Sequence, residues 1–229
     1  AVINYTDDSI SVLLGVGNGT FASAVCYAVG TDPQGITTGD FNGDGDLDLA
    51  VTSYSDNEVA VLLGVGNGTF VAAVSYYAGT NLKGITTGDF NGDGDLDLAV
   101  TSFQVHRVAI LLGDGDGSFA APASYDNVSV GPSQITTGDF DDDGDLDLAV
   151  QSWNSNSVSM LRGVGDGTFS PGLHAYYVGD GPVGITAGDF NGDGELDLAF
   201  IYQISSGDNV STMLGSGNAT FASPVYNTA

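Results

Sequence analysis

Apolar residues along the chain alternate with small or polar ones over short stretches, and each stretch ends in a cluster of Gly, Asn or Asp. A period of two bounded by turn residues predicts short strands. Within residues 35–84, Gly35–Phe41 reads as a first strand, Asp46–Ser53 as a second, Val59–Leu63 as a third and Phe70–Tyr77 as a fourth. Gly64–Gly68 reads as the turn between the last two, its Asn67-Gly68 pair suited to positive φ. Gly79–Gly84 links to the next unit. No stretch has the period of an amphipathic helix, and no Pro falls inside a central strand.

The unit repeats. The turn and its closing Phe recur as Gly15–Phe21, Gly64–Phe70, Gly113–Phe119, Gly163–Phe169 and Gly215–Phe221. An aromatic at a fixed repeat position is expected to plug the space between neighbouring units. Between the first two strands lies Asp40-Phe-Asn-Gly-Asp-Gly-Asp-Leu-Asp48, which recurs from Asp89, Asp139 and Asp189 at intervals of 49, 50 and 50 residues. Four strands in a unit of this length is the arithmetic of a propeller blade. The expected fold is all-β, a β-propeller of four-stranded antiparallel blades. The chain, 1–229, reads as a single repeat domain with a partial blade at 1–34 and full blades at 35–83, 84–133, 134–183 and 184–229. The partial blade carries Val2–Tyr5, Ser11–Leu14 and Phe21–Val29 but no innermost strand. Its apolar residues predict that it folds on the first full blade. A strand of the parent chain or of a neighbouring copy is expected to cover its inner edge.

The repeated loop reads as a calcium site. A hard cation takes six or more oxygens, which carboxylates and carbonyls supply, and a Gly at the sixth position permits the sharp turn. In the first loop the ligands are Asp40, Asn42, Asp44, the carbonyl of Asp46, and Asp48. In the second they are Asp89, Asn91, Asp93, Asp95 and Asp97; in the third Asp139, Asp141, Asp143, Asp145 and Asp147; in the fourth Asp189, Asn191, Asp193, Glu195 and Asp197. Four acidic surface turns are the plainer alternative, but turns alone do not require oxygen-bearing side chains in a fixed register at each copy.

Composition sharpens this reading. The net charge is −26, from 29 acids against three basic residues, which excludes nucleic acid as a partner. Eighteen of those acids fall in the four loops, so the charge tracks the loops rather than a general acidic surface. No apolar run is long enough to span a membrane as a helix. The start at Ala1 reads as a mature or trimmed product. The one cysteine, Cys26, is expected to be buried and inert, and four calcium loops suit a secreted or cell-surface setting.

The runs Gly-Asp-Phe-Asn-Gly-Asp-Gly-Asp-Leu-Asp-Leu-Ala-Val and Leu-Leu-Gly-x-Gly-x-Gly-Thr-Phe resemble the FG-GAP or VCBS-type repeat of integrin α-subunit propellers and many secreted proteins. The resemblance implies calcium in the loop joining the first two strands, and a propeller commonly of seven blades. The literal Gly-Ala-Pro of the family name is missing. His106 and His174 occupy unlike repeat positions, and neither G-x-S-x-G nor a phosphate-cradling loop occurs. The expectation is therefore a non-catalytic module that binds an extracellular glycan or protein. Tyr54, Phe103, Trp153, Tyr202 and Arg107 are its candidate specificity residues, although blade packing explains the aromatics as well. The alternative is a self-assembling filament protein. Six Asn-x-Ser/Thr sequons, at Asn4, Asn18, Asn67, Asn127, Asn209 and Asn218, are candidate glycan acceptors.

Overall fold

In the computed structural model the strands form five antiparallel sheets. The structure describes residues 1–126, 128–203 and 208–228, with side chains other than those of 171–174, 208, 209, 227 and 228. The sequons at Asn127 and Asn209 and the His174 side chain lie outside what is described. The first sheet has three strands, β1 (Val2–Asn4), β2 (Ser9–Val12) and β3 (Val25–Ala28). The second holds β4 (Pro33–Gly39), β5 (Asp48–Ser53), β6 (Glu58–Leu62) and β7 (Val74–Tyr77). The third holds β8 (Leu82–Gly88), β9 (Asp97–Ser102), β10 (Arg107–Leu111) and β11 (Ala123–Tyr125). The fourth holds β12 (Pro132–Gly138), β13 (Asp147–Ser152), β14 (Ser157–Gly163) and β15 (Phe169–Tyr177). The fifth holds β16 (Pro182–Gly188), β17 (Asp197–Tyr202), β18 (Asp208–Met213) and β19 (Val225–Thr228). Each sheet is an up-and-down meander, and β1 pairs with β2 alone. The fold is a β-propeller arrangement of four four-stranded blades and one three-stranded blade.

Four local readings change. The innermost strands start at Pro33, Leu82, Pro132 and Pro182, two residues earlier than the pattern suggests, because a bulge absorbs the extra residues. In the second blade the outer strand starts at Val74 rather than Phe70. Phe70 makes only a single bridge to Gly64 before its ring turns toward the neighbouring blade. Positive φ falls on Gly66 and Gly68, not on Asn67. The Asn67 Oδ1 instead accepts hydrogen bonds from the Thr69 N–H and hydroxyl, closing the turn. Cys26 is exposed, not buried, since it lies on the outermost strand of its blade, where no layer covers it.

Blades pack through a repeated contact. Phe119 of the third blade meets Phe41 and Tyr76 of the second edge-on, with centroids 5.6 and 5.5 Å apart. Phe169 meets Phe90 and Tyr125, and Phe221 meets Phe140 and Tyr176, in the same way. These three turn phenylalanines are buried as expected, whereas Phe21, on the first sheet, is 66% exposed. A backbone bond accompanies each contact: Gly117 N–H to Phe41 O, Gly167 N–H to Phe90 O and Ala219 N–H to Phe140 O. Thr52 adds a polar rivet, accepting from Gly35 N–H and donating to the Lys83 carbonyl of the next blade.

Beside this contact one leucine packs on one glycine. A methyl at Gly68, Gly117 or Gly167 would lie 2.4, 2.9 or 3.0 Å from Leu14, Leu63 or Leu112 of the preceding blade. At the last interface the leucine is Arg162 and the glycine is Ala219, which takes φ 56°. The guanidinium points away to Asp141 and Asp143 and leaves room for the methyl. Gly117→Ala, strained at φ 86° and crowded by Leu63, is therefore expected to cost about 1–3 kcal/mol in chemical denaturation. Ala219→Gly is expected to stay within about 0.5 kcal/mol of the parent, because relief of the left-handed strain offsets the added chain entropy.

Candidate metal centres

Each loop lies between the innermost and second strands of a full blade, at one end of the sheet. In the first, the Asp40 carboxylate accepts the Asp44 and Gly45 N–H groups at 3.2 and 2.8 Å. Asn42 Oδ1 accepts the Asp44 N–H, and its Nδ2 donates to Asp44 Oδ2 at 2.9 Å. Asp44 Oδ1 accepts the Asp46 N–H at 2.8 Å. Positions 1, 3 and 5 thus fold the backbone around their own oxygens, and the second and fourth loops repeat the arrangement.

Position 7 behaves differently. The side chains of Asp46, Asp95, Asp145 and Glu195 lie against the glycine turn of their own blade, so close to Gly66, Gly115, Gly165 and Gly217 that a Cβ there would collide with the carboxylate. The position-7 side chains are therefore directed to that turn.

Position 9 carries a role that the sequence reading missed. Asp48 is fully buried, with Oδ2 accepting Phe41 N–H at 2.8 Å and Oδ1 accepting Gly64 N–H at 2.7 Å. Asp97, Asp147 and Asp197 do the same with Phe90 and Gly113, Phe140 and Gly163, and Phe190 and Gly215. One carboxylate therefore pins the loop to the turn. The signal was the Leu-Asp-Leu triplet, an acid inside an apolar run. Burial pushes the Asp48 carboxyl up, and pushes Asp97 and Asp147 up to about 6, although two N–H donors oppose it.

The third loop departs from the others. Asp139, Asp141 and Asp147 each bring an oxygen to within 4.8 Å of the rest. The Asp141 side chain is only 7% exposed, and its Oδ1 has no hydrogen-bond partner. A buried carboxylate oxygen without a donor, beside two more acids, fits a hard cation. This cluster of three aspartates has the makings of a metal site.

A second place lies at the opposite end of the sheets. Tyr5 follows β1 of the three-stranded blade, Tyr54, Phe103 and Trp153 each follow the second strand of their blade, and Gln203 holds that position in the fifth. Tyr202, grouped with these aromatics in the sequence, is instead buried, its hydroxyl bonded to Val178 O and Ser211 Oγ. A cavity of about 350 Å³ is lined by Tyr5, Asp32, Gln34, Tyr54 and Lys83, with the Lys83 ammonium 4.0 Å from the Phe103 ring centre. Arg107 pairs with Asp126 on the surface of its own blade.

The FG-GAP-like repeat family matches residues 1–51, 40–100, 89–150 and 139–200. The chain belongs to the FG-GAP-like repeat family. No functionally curated protein matches it. Among solved structures, a Lactobacillus plantarum protein is similar at 14% identity with a TM-score of 0.74, over 96% of this chain and 66% of that one. A putative 6-phosphogluconolactonase from Bacteroides uniformis gives 16% identity and 0.67, over 96% and 65%. Virginiamycin B lyase from Staphylococcus aureus gives 20% and 0.57, over 96% and 64%. The FG-GAP-like chain therefore spans just under two thirds of the length of these propellers.

The comparison corrects the expectation of a module without catalysis. Two of these propellers carry the names of enzymes, so the shared fold is compatible with catalysis. Side chains drawn from separate blades leave no contiguous motif, and the absence of one in the sequence excludes nothing.

The buried ninth-position acids set a pH dependence. For Asp97 and Asp147 the folded pKa of about 6 exceeds the ordinary 3.8, so the folded state holds these protons more tightly than the unfolded state. Without metal, stability should fall as pH rises from about 4 through 6. Chemical denaturation in chelator across that range checks this, and Asp97→Asn should flatten the slope.

Proposed function

We propose that the chain is a calcium-loaded, extracellular propeller module that binds a glycan or protein ligand. The observation that carries the calcium half is the third loop's buried, donorless Asp141 oxygen beside Asp139 and Asp147. The other loops share the register, the sixth-position Gly and the buried ninth-position acid, and they supply three further sites. In each, positions 1, 3, 5 and 9 offer side-chain oxygens and position 7 its carbonyl. Calcium there relieves crowding among carboxylates that, among the described residues, no basic side chain pairs with in the first, second and fourth loops. The extracellular setting follows from the scarcity of free calcium inside cells. The ligand half rests on the polar cavity at Tyr5, Asp32, Gln34, Tyr54 and Lys83, where aromatic faces stand beside an acid, an amide and an ammonium.

Self-assembly is a second reading, favoured by two exposed rings. Phe190 is 50% exposed whereas its equivalents Phe41, Phe90 and Phe140 are buried, and Phe21 is the exposed counterpart on the first blade. The first sheet offers a turn phenylalanine and the fifth its receiving ring, which a neighbouring copy, or further blades of a longer parent chain, would cover. Sedimentation of the 229-residue chain distinguishes a monomer from head-to-tail assemblies.

Calorimetric titration should find four calcium ions, and Asp44→Ala should leave three. Each site contributes about 2.7 kcal/mol at a hundredfold excess over Kd, so chelation should lower Tm substantially. A melt unchanged after proven calcium removal would sink the metal reading. For the ligand, a glycan and matrix-protein array should give calcium-dependent binding that Tyr54→Ala weakens about tenfold, close to 1.4 kcal/mol.

A further inference from the structure

The third loop replaces the Asn-Gly of the others with Asp141-Asp142, and the same blade replaces leucine with Arg162. In the first, second and fourth loops, Asn42, Asn91 and Asn191 hold the position-5 carboxylate, donating to Asp44, Asp93 and Asp193 Oδ2 at 2.9, 2.7 and 2.8 Å. Asp141 is acceptor-only when ionised and cannot do this. Arg162 does it instead. Its Nη2 donates to Asp143 Oδ2 at 2.7 Å, and its Nε bonds Asp141 Oδ2. One planar fork thus spans positions 3 and 5 and supplies the donor that the missing amide supplied. The arm reaches the loop because Ala219 does not require a leucine beneath it.

We propose that Arg162 is the resident counter-cation of the third loop, a positioning residue that fixes Asp141 and Asp143 and keeps this loop folded without metal. The other three loops have no basic side chain among their ion pairs in the described residues. Their acids are left to repel one another until a cation arrives. The third loop has its charge partly balanced within the chain. The fork takes Asp141 Oδ2 and leaves Oδ1 without a donor in a side chain that clusters with Asp139 and Asp147, so calcium enters without displacing the guanidinium. This last point rests on the calcium reading; the positioning role does not.

Hydrogen exchange of the full chain, in chelator and in calcium chloride, separates the two. In chelator, peptides spanning 139–147 should exchange at least tenfold more slowly than those spanning 40–48, 89–97 and 189–197. Calcium should slow all four. Arg162→Ser should bring the third loop to the level of the others in chelator, with protection returning in calcium. Arg162→Lys, which keeps the charge but not the fork, should fall between. Should the Ser variant lose protection over the whole chain, the Lys variant decides. A third loop no slower than the rest in chelator, or one that neither substitution alters, overturns the proposal. If calcium protects no loop, the calcium reading falls, while the effect of Arg162→Ser on 139–147 still tests the fork.

Discussion

A carboxylate buried at the ninth position of each loop is the constraint on which the rest depends. Asp48 and its equivalents join two backbone segments that no ladder joins, the loop at Phe41 and the turn at Gly64. Removing an ionised carboxylate from water is costly unless donors or charges replace the lost hydration. Two N–H groups go part of the way, yet burial still pushes the Asp97 and Asp147 carboxyls up to about 6. More acids stand nearby, Asp89 and Asp93 around Asp97, and they add to the cost rather than reduce it. The fold therefore gathers negative charge at a point where it also needs rigidity. A cation at that point resolves both demands, which is the physical case for metal independent of any motif.

The same carboxylate sets the contact between blades. Fixing Phe41 N–H orients the Phe41 ring toward Phe119 of the next blade, and the Phe41 carbonyl toward Gly117 N–H. The loop of one blade is thus clamped by the turn of the next, and that turn is itself pinned by its own ninth-position acid, Asp97 through Gly113. Order passes along the chain as a series of nearest-neighbour terms. The fourth loop is the exception. Phe190 keeps its N–H bond to Asp197, yet half of its surface is open. Its local geometry is complete while its support from a neighbour is not.

Strand order, loop register and the core role of the turn phenylalanines were all legible in the sequence, because each follows from a period or from a residue type with few uses. What was not legible came from contacts between blades. Asp48 read as one more ligand because nothing local says that its oxygens face Phe41 and Gly64. Tyr202 read as equivalent to Tyr54, although it sits one register position earlier and faces the core between blades. Cys26 read as buried because alternation marks a strand without saying whether a layer covers it. The bulges at Pro33 and Leu82 shifted strand starts for a similar reason: Gly35 and Gly84 bond the Thr52 and Thr101 hydroxyls instead of the ladder.

The fourth blade shows how far such contacts discipline the sequence. Several of its positions depart from the repeat, among them Asp141, Asp142, Gln151 and Arg162, and so does Ala219 of its neighbour. Taken singly, three of them look harmful. An added acid crowds a loop, an arginine replaces a packed leucine, and an alanine occupies a left-handed position. Together they compensate. Arg162 neutralises Asp141 and, by turning outward, opens the space that the Ala219 methyl fills. Gln151 replaces the threonine rivet of Thr52 and Thr101 and reaches the Pro182 carbonyl of the next blade through its longer amide. Asp142 shares a side-chain hydrogen bond with Glu195 of the next blade. It takes φ 57° where the other loops use glycine, and its carboxyl beside Glu195 pushes that acid's pKa up. Substitutions that break a local rule are tolerated here when a contact across the loop or across the blade boundary restores it. The unit of constraint in this chain is therefore the interface between two blades rather than the single repeat.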